Sequence, residues 1–166
     1  MTDVTTNSPL DDLLAQLRIN PDDGSAAAHI DATWMQGRTA YGGISSAIAL
    51  AAVQALHPSD APLRYAQISF VGPVGGDCHI ATRKLRQSKS SLFVDAVVSG
   101  EAGVGTTALF AFSPDRESHI DYNALTAPQV APPEDLLPLP PHPARPSFTG
   151  HFDMRPSTGP RPLLGQ

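Results

Sequence analysis

From Gly43 to His57 the chain reads GISSAIALAAVQALH, and Pro58 closes the run. Alanine and leucine favour a helix and proline ends one, so the stretch predicts a helix roughly 22 Å long. Beyond its first turn the only polar side chain before His57 is Gln54, and it carries no charge at all. A surface helix shows a polar stripe, so this one is expected to be enclosed nearly all round. Segments of a different period surround it. Leu63–Val71 sets Ala66, Ile68 and Phe70 against Tyr65, Gln67 and Ser69, the alternation of a half-buried strand. Residues 72–77, GPVGGD, are dense in turn formers. Cys78–Gln87 predicts a second strand and Leu92–Ser99 a third; GEAGVG at 100–105 turns the chain into a fourth, Thr106–Phe112. Ser25–Thr33 predicts a strand ahead of the helix.

A strand, a buried helix and then an antiparallel meander are satisfied together by one sheet wrapped around a long central apolar helix. That is the α+β hotdog fold. Proline usage marks where it stops. Five of the 17 prolines precede residue 114 and twelve lie from Pro114 onward. Ala127–Pro146, APQVAPPEDLLPLPPHPARP, suits neither a helix nor a central strand, because proline fixes φ and lacks the donor. The expected organisation is a flexible N-terminus over 1–9, a hotdog domain over 10–115, a Pro-rich extended linker over 116–147 and a further segment over 148–166.

Composition narrows the function classes. A formal charge of −5 and a pI near 5.5 argue against nucleic-acid binding. The lone Cys78 excludes an intrachain disulfide and suits a reducing, cytoplasmic setting. No stretch has the make-up of a signal peptide or of a membrane span. The six histidines are scattered with no H-x-x-x-H or Cys/His grouping, so neither a metal nor another cofactor is expected. Gly103-x-Gly105 sits in a hairpin without the dinucleotide fingerprint.

Trp34–Gly43, WMQGRTAYGG, running into the alanine-rich helix, resembles the N-terminal half of acyl-CoA thioesterase II and its thioesterase-like relatives. Ile68–Val74 with Gly76-Asp77, Leu85-Arg86-Gln87 and Ala108–Phe112 resemble further short motifs of that family, in register over about residues 10 to 115. The family usually carries two fused hotdogs, and Phe148–Gln166 resembles the opening strand of the second. The resemblance implies an acyl-CoA substrate and a second hotdog as partner. Either the chain is a truncated or cleaved product, or the partner is a separate chain carrying the C-terminal half, or it is another copy of this chain, as a homodimer.

The candidate chemistry centres on Tyr41-Gly42-Gly43. A helix start leaves backbone N–H groups unpaired and carries partial positive charge. Glycines there admit a carbonyl close to the backbone, so Gly42 and Gly43 are the candidate oxyanion donors. The plainer reading is that they only permit a tight turn into the helix. Tyr41, Ser45, Trp34 and Arg86 are candidate substrate contacts, Arg86 as part of a basic cluster with Arg83, Lys84 and Lys89 that suits phosphate but also suits solvent. Ser45 and Ser46 equally serve to satisfy the helix end. Gly43-Ile44-Ser45-Ser46-Ala47 lacks the last glycine of a nucleophile elbow.

Hydrolysis also needs a group that activates water. Single-domain hotdog thioesterases often place an acid about two turns into the helix, which here falls at or near Leu50. In the two-hotdog family the catalytic acid belongs to the second domain. Asp31, His29 and Asp95 are the local substitutes, each more often a structural strand residue. Three functions stay open on sequence: a thioesterase half-site, a non-catalytic scaffold or acyl-binding partner, and, least favoured, a hydratase, for which Tyr41 stands where a histidine would serve. Association is expected in every case, because one hotdog sheet leaves an edge uncovered.

Overall fold

The computed structural model describes residues 9–157; residues 1–8 and 158–166 lie outside the described residues, and with them most of the expected flexible N-terminus. In chain order the elements are α1 (Pro9–Ala15), β1 (Arg18–Asn20), β2 (Ser25–Ile30), a 3-10 turn (Ala32–Trp34), β3 (Met35–Gln36), β4 (Thr39–Ala40), α2 (Gly42–Leu56), β5 (Leu63–Phe70), β6 (Gly76–Ser88), β7 (Ser91–Gly100) and β8 (Gly103–Phe112). Two further 3-10 turns come after β8, Pro133–Asp135 and Ser147–His151.

Six strands form one antiparallel sheet in the order β1-β2-β6-β7-β8-β5, and α2 packs across β2, β6, β7 and β8. This is the expected α+β hotdog. Strand alternation divides the sheet cleanly. Ala26, Ala28 and Ile30 of β2, Cys78 and Ile80 of β6, Val94, Ala96 and Val98 of β7, and Ala108 and Phe110 of β8 are all buried. They meet Ile44, Ile48, Ala49, Ala52 and Val53 of α2, the buried face of the helix.

The hotdog departs from the sequence pattern in several places. Ser25–Thr33 is a strand only to Ile30, because Asp31 turns the chain by accepting from the Thr33 N–H at 2.7 Å. α1 and β1 had no counterpart in the sequence pattern; both are short, and α1 is held mainly by the buried Leu13 against the core. Leu63–Val71 alternates as expected, yet β5 is not half-buried and does not neighbour β6. It crosses to the far side of β8, where Phe70 meets the start of α2 at Gly42, and Ala66 and Phe70 face the helix side while staying exposed. Finally, α2 is not enclosed all round, since Gly43, Gln54 and Ala55 are exposed and Ala47, Leu50 and Ala51 only half-buried.

Beyond β8 the chain runs without regular structure to Pro133, with Ile120, Tyr122 and Leu125 each more than 80% exposed. From Pro133 onward it is tied to the later segment at Met154 and Arg155. Leu139 N–H donates to the Met154 carbonyl at 2.8 Å, and the Arg155 guanidinium donates to the carbonyls of Pro133 and Leu136 at 2.9 and 3.2 Å. The strand expected to open at Phe148 does not form over 148–157; the chain instead makes a 3-10 turn to His151 that side chains dock against the hotdog, and the remainder of the expected strand lies outside the described residues.

Candidate functional site

The start of α2 opens into a cleft of about 820 Å³ lined by Gly42, Gly43, Ser45 and Thr106, by Tyr41 and Phe70, by Val71–Val74, and by Gln36 and Arg38–Ala40. Local sequence builds each wall. Tyr41 is the N-cap of α2 but its side chain makes no capping bond, so the helix end is left without a side-chain acceptor. The N–H groups of Ile44 and Ser45 both donate to the Tyr41 carbonyl, at 2.9 and 3.4 Å. Those of Gly42 and Gly43 donate to no acceptor among the described residues. Two adjacent donors, reinforced by the helix dipole, thus stand free at the cleft.

A side chain on either glycine would displace an aromatic ring. A Cβ on Gly42 would lie 2.7 Å from Phe70 Cζ, and one on Gly43 would lie 2.3 Å from Tyr41 Cε1. The opposite wall is pinned by Thr39 and Ala40: Ala40 N–H donates to the Val74 carbonyl at 2.6 Å, and Val74 N–H donates to Thr39 Oγ1 at 3.1 Å. Gly105 lets that wall close on β8, because a Cβ there would sit 2.5 Å from Val74 Cβ.

Sequence-selected residues distribute unevenly. Tyr41, Gly42, Gly43 and Ser45 meet at the cleft. The Ser45 hydroxyl is nonetheless spoken for: it donates to the Gly42 carbonyl at 3.0 Å and accepts from Thr106 Oγ1 at 3.1 Å. Ser46 donates to the same carbonyl at 2.8 Å. Trp34 does not line the cleft but is buried, 4% exposed, with its ring stacked on His151. Arg86 does not come to the cleft either; past a bulge in β6 it pairs with Phe93 on the sheet face away from α2. The proposed substitutes for a catalytic acid also lie elsewhere. Asp95 and Arg83 form a cross-strand ion pair at 2.7 Å on that same outer face. His29 Nδ1 meets Asp77 Oδ1 at 2.8 Å. Asp31 caps the 3-10 turn, and its carboxyl is held below the ordinary carboxylate range, chiefly by the Thr33 hydroxyl and against an opposing effect of burial.

Phe70 and Thr106 are cleft residues that sequence reasoning used only as strand positions. The alternation in β5 already put Phe70 on the helix side, which was the available signal. No cleft-lining residue is Asp, Glu or His, and Arg38 is the one charged side chain there. Among the described residues no group of three or more His, Cys, Asp or Glu side chains is placed to hold a metal. Nor is any described helix long and apolar enough to cross a membrane.

A family model for the acyl-CoA thioesterase N-terminal domain matches residues 30–113. No curated protein matches the chain. Among solved structures, a conserved hot-dog-fold protein of unknown function from Alicyclobacillus acidocaldarius is similar over 87% of this chain and 53% of its own, at 21% identity and a TM-score of 0.75. The tesB protein of Mycobacterium avium subs paratuberculosis is similar over 76% of this chain and 50% of its own, at 17% identity and a TM-score of 0.62. A Bacillus halodurans protein whose structure contains CoA aligns over 59% of this chain and 70% of its own, at 17% identity and a TM-score of 0.52. At such identities the likeness is one of fold, and the chain spans about half the length of the first two.

Proposed function

The chain belongs to the acyl-CoA thioesterase N-terminal domain family, and from that premise we propose that it is one half of an acyl-CoA thioesterase, hydrolysing acyl-CoA to a free acid and CoA when a second hotdog completes it. The observation that carries this reading is the pair of undonated N–H groups at Gly42 and Gly43, opening into the cleft between Tyr41 and Phe70. A thioester carbonyl oxygen set against them would be polarised as water attacks. The two N–H groups would then hold the oxyanion of the tetrahedral intermediate until it collapses and expels the CoA thiolate. That Ser45 and Ser46 both donate to the Gly42 carbonyl supports the role, since they fix the first turn and leave its N–H groups outward. The CoA-containing relative supports CoA thioesters as the substrate class.

What the cleft lacks is equally instructive. Activating water needs a base, and none of the lining residues supplies a carboxylate or imidazole. The second hotdog therefore brings the acid, and the exposed strand β5 with the half-covered side of α2 is the surface that suits it. The same absence favours a second reading, an acyl-binding partner subunit that performs no chemistry.

The test is release of CoA thiol from octanoyl-CoA by the purified assembly. Gly42→Ala and Gly43→Ala keep the N–H but put a methyl group among the rings over it. Where that bars a carbonyl oxygen from the donor, kcat is expected to fall toward the loss of about 10²–10³-fold seen when one oxyanion donor is removed. An assembly that hydrolyses the thioester at full rate with both substitutions rules out the oxyanion role. One that binds octanoyl-CoA with no turnover leaves the acyl-binding reading.

A further inference from the structure

The 3-10 turn Ser147–His151 and Phe152 lie against the back of the cleft's Tyr41 wall. Phe148 stacks on the Tyr41 ring with centroids 4.3 Å apart and planes 2° from parallel. Phe152 meets Tyr41 edge-on at 5.8 Å and Phe148 edge-on at 6.2 Å, which locks the pair from the side. Two anchors fix this strap to the turn just before β3. Ser147 Oγ lies 3.0 Å from the carbonyls of Ala32 and Met35, and His151 stacks on Trp34 at 3.9 Å while its Nε2 meets Thr33 Oγ1 at 2.8 Å. Thr33 Oγ1 spends its own hydrogen on Asp31, so it is the acceptor and His151 carries the proton on Nε2.

Among the described residues no backbone–backbone hydrogen bond joins 147–152 to residues 30–113. The strap is held by rings and side chains alone, which makes its docking separable from the hotdog's own folding. Its contact with the cleft is Tyr41. That ring makes no capping bond of its own, and it lies so close over Gly43 that a Cβ there would be 2.3–2.9 Å from three of its atoms. A tyrosine side chain free about two torsions needs backing to stay in such a place, and Phe148 supplies it.

We propose that Phe148 is a positioning residue: it holds the Tyr41 ring across Gly43, and so sets the wall against which an acyl thioester is seated at the helix start. The substrate half of this statement rests on the thioesterase reading; the positioning half does not. The strap leads into the chain beyond the linker, so whatever packs on that part of the chain is coupled to the cleft through the rings that meet Tyr41.

The experiment uses the full chain in its assembly. Nuclear Overhauser contacts between the Tyr41 ring and the Gly43 α-protons report the wall, and octanoyl-CoA hydrolysis reports the seating. Phe148→Ala is expected to lose the Tyr41–Gly43 contacts and raise KM by about 2- to 12-fold with kcat less affected, the factor corresponding to one lost aromatic pair. Phe148→Tyr should restore both. His151→Ala, which releases the strap without touching Tyr41, should reproduce the alanine phenotype. Persistence of the Tyr41–Gly43 contacts in Phe148→Ala overturns the proposal, as does their loss with KM unchanged. If the unaltered assembly fails to hydrolyse octanoyl-CoA, the thioesterase reading falls, and the ring contacts alone still decide whether Phe148 positions Tyr41.

Discussion

A buried hydroxyl must find a partner, and Ser45 finds two. It is fully buried, donates to the Gly42 carbonyl and accepts from Thr106, which is itself 1% exposed. Ser45→Ala would take away the acceptor of a buried donor, and a donor stranded in that way costs about 1–3 kcal/mol. Urea unfolding of Ser45→Ala is expected to show a loss in that range. The double variant Ser45→Ala/Thr106→Val should be less destabilised than the two single losses added together, because it leaves no orphan hydrogen; strict additivity would mean that the two hydroxyls are not coupled. From sequence, a serine inside an apolar helix is legible as a polar atom needing satisfaction. Its partner was not, since Thr106 lies 61 positions away on the strand that closes over it. Arg86 illustrates the opposite failure. Its charge was legible, but a bulge between Lys84 and Arg86 shifts the register that decides which face it occupies.

At the scale of the element, α2 was the most legible part of the chain, because an apolar run with a proline stop leaves few alternatives. Its boundaries fell within a residue, Gly42–Leu56. Its cover was not legible in the same way, because hydrophobicity says that a face wants burial and not whether this chain provides it. The helix ends on His57, whose Nε2 meets Thr82 Oγ1 at 2.9 Å; Thr82 in turn donates to the Gly24 carbonyl at 2.8 Å, so His57 is the donor. Burial, and then the Lys84 ammonium, hold the His57 imidazole below its ordinary pKa of 6.5. The unfolded chain therefore takes up this proton first, and stability gained from the neutral ring is complete above pH 6.5 and declines as the pH falls through it. Asp31, lowered from 3.8, acts in a separate and more acid window, its contribution being lost only as pH falls through its folded value. The urea midpoint is expected to drop between about pH 7.5 and 5.5, and His57→Gln, which keeps a donor toward Thr82, should flatten that drop. An identical slope in the variant would assign the pH dependence to other groups.

The whole molecule is a sheet with one finished edge and one unfinished one. At the first edge β1 is three residues long, the kind of short strand that resists further pairing. At the other, β5 runs eight residues with both faces largely exposed, Tyr65 at 48% and Phe70 at 63%. A strand of that length with one edge unpaired, beside a half-covered apolar helix, is a template for another sheet. The chain also spans only about half of the first structures it resembles. Association through β5 is accordingly expected, and native mass spectrometry is the direct measurement. Ala66→Lys places a charge on the helix-facing side of β5, where it remains solvated in an isolated chain and is desolvated in a paired one. The variant should shift the population toward the single-chain mass while leaving the hotdog's urea midpoint nearly unchanged. A homodimer would require any base for hydrolysis to come from this sequence, bringing Asp31, His29 and Asp95 of the facing copy back into consideration. A complex with a different hotdog chain would place the search for the acid there. An assembly indifferent to Ala66→Lys would move the interface off β5 and onto the exposed side of α2, at Gly43, Gln54 and Ala55.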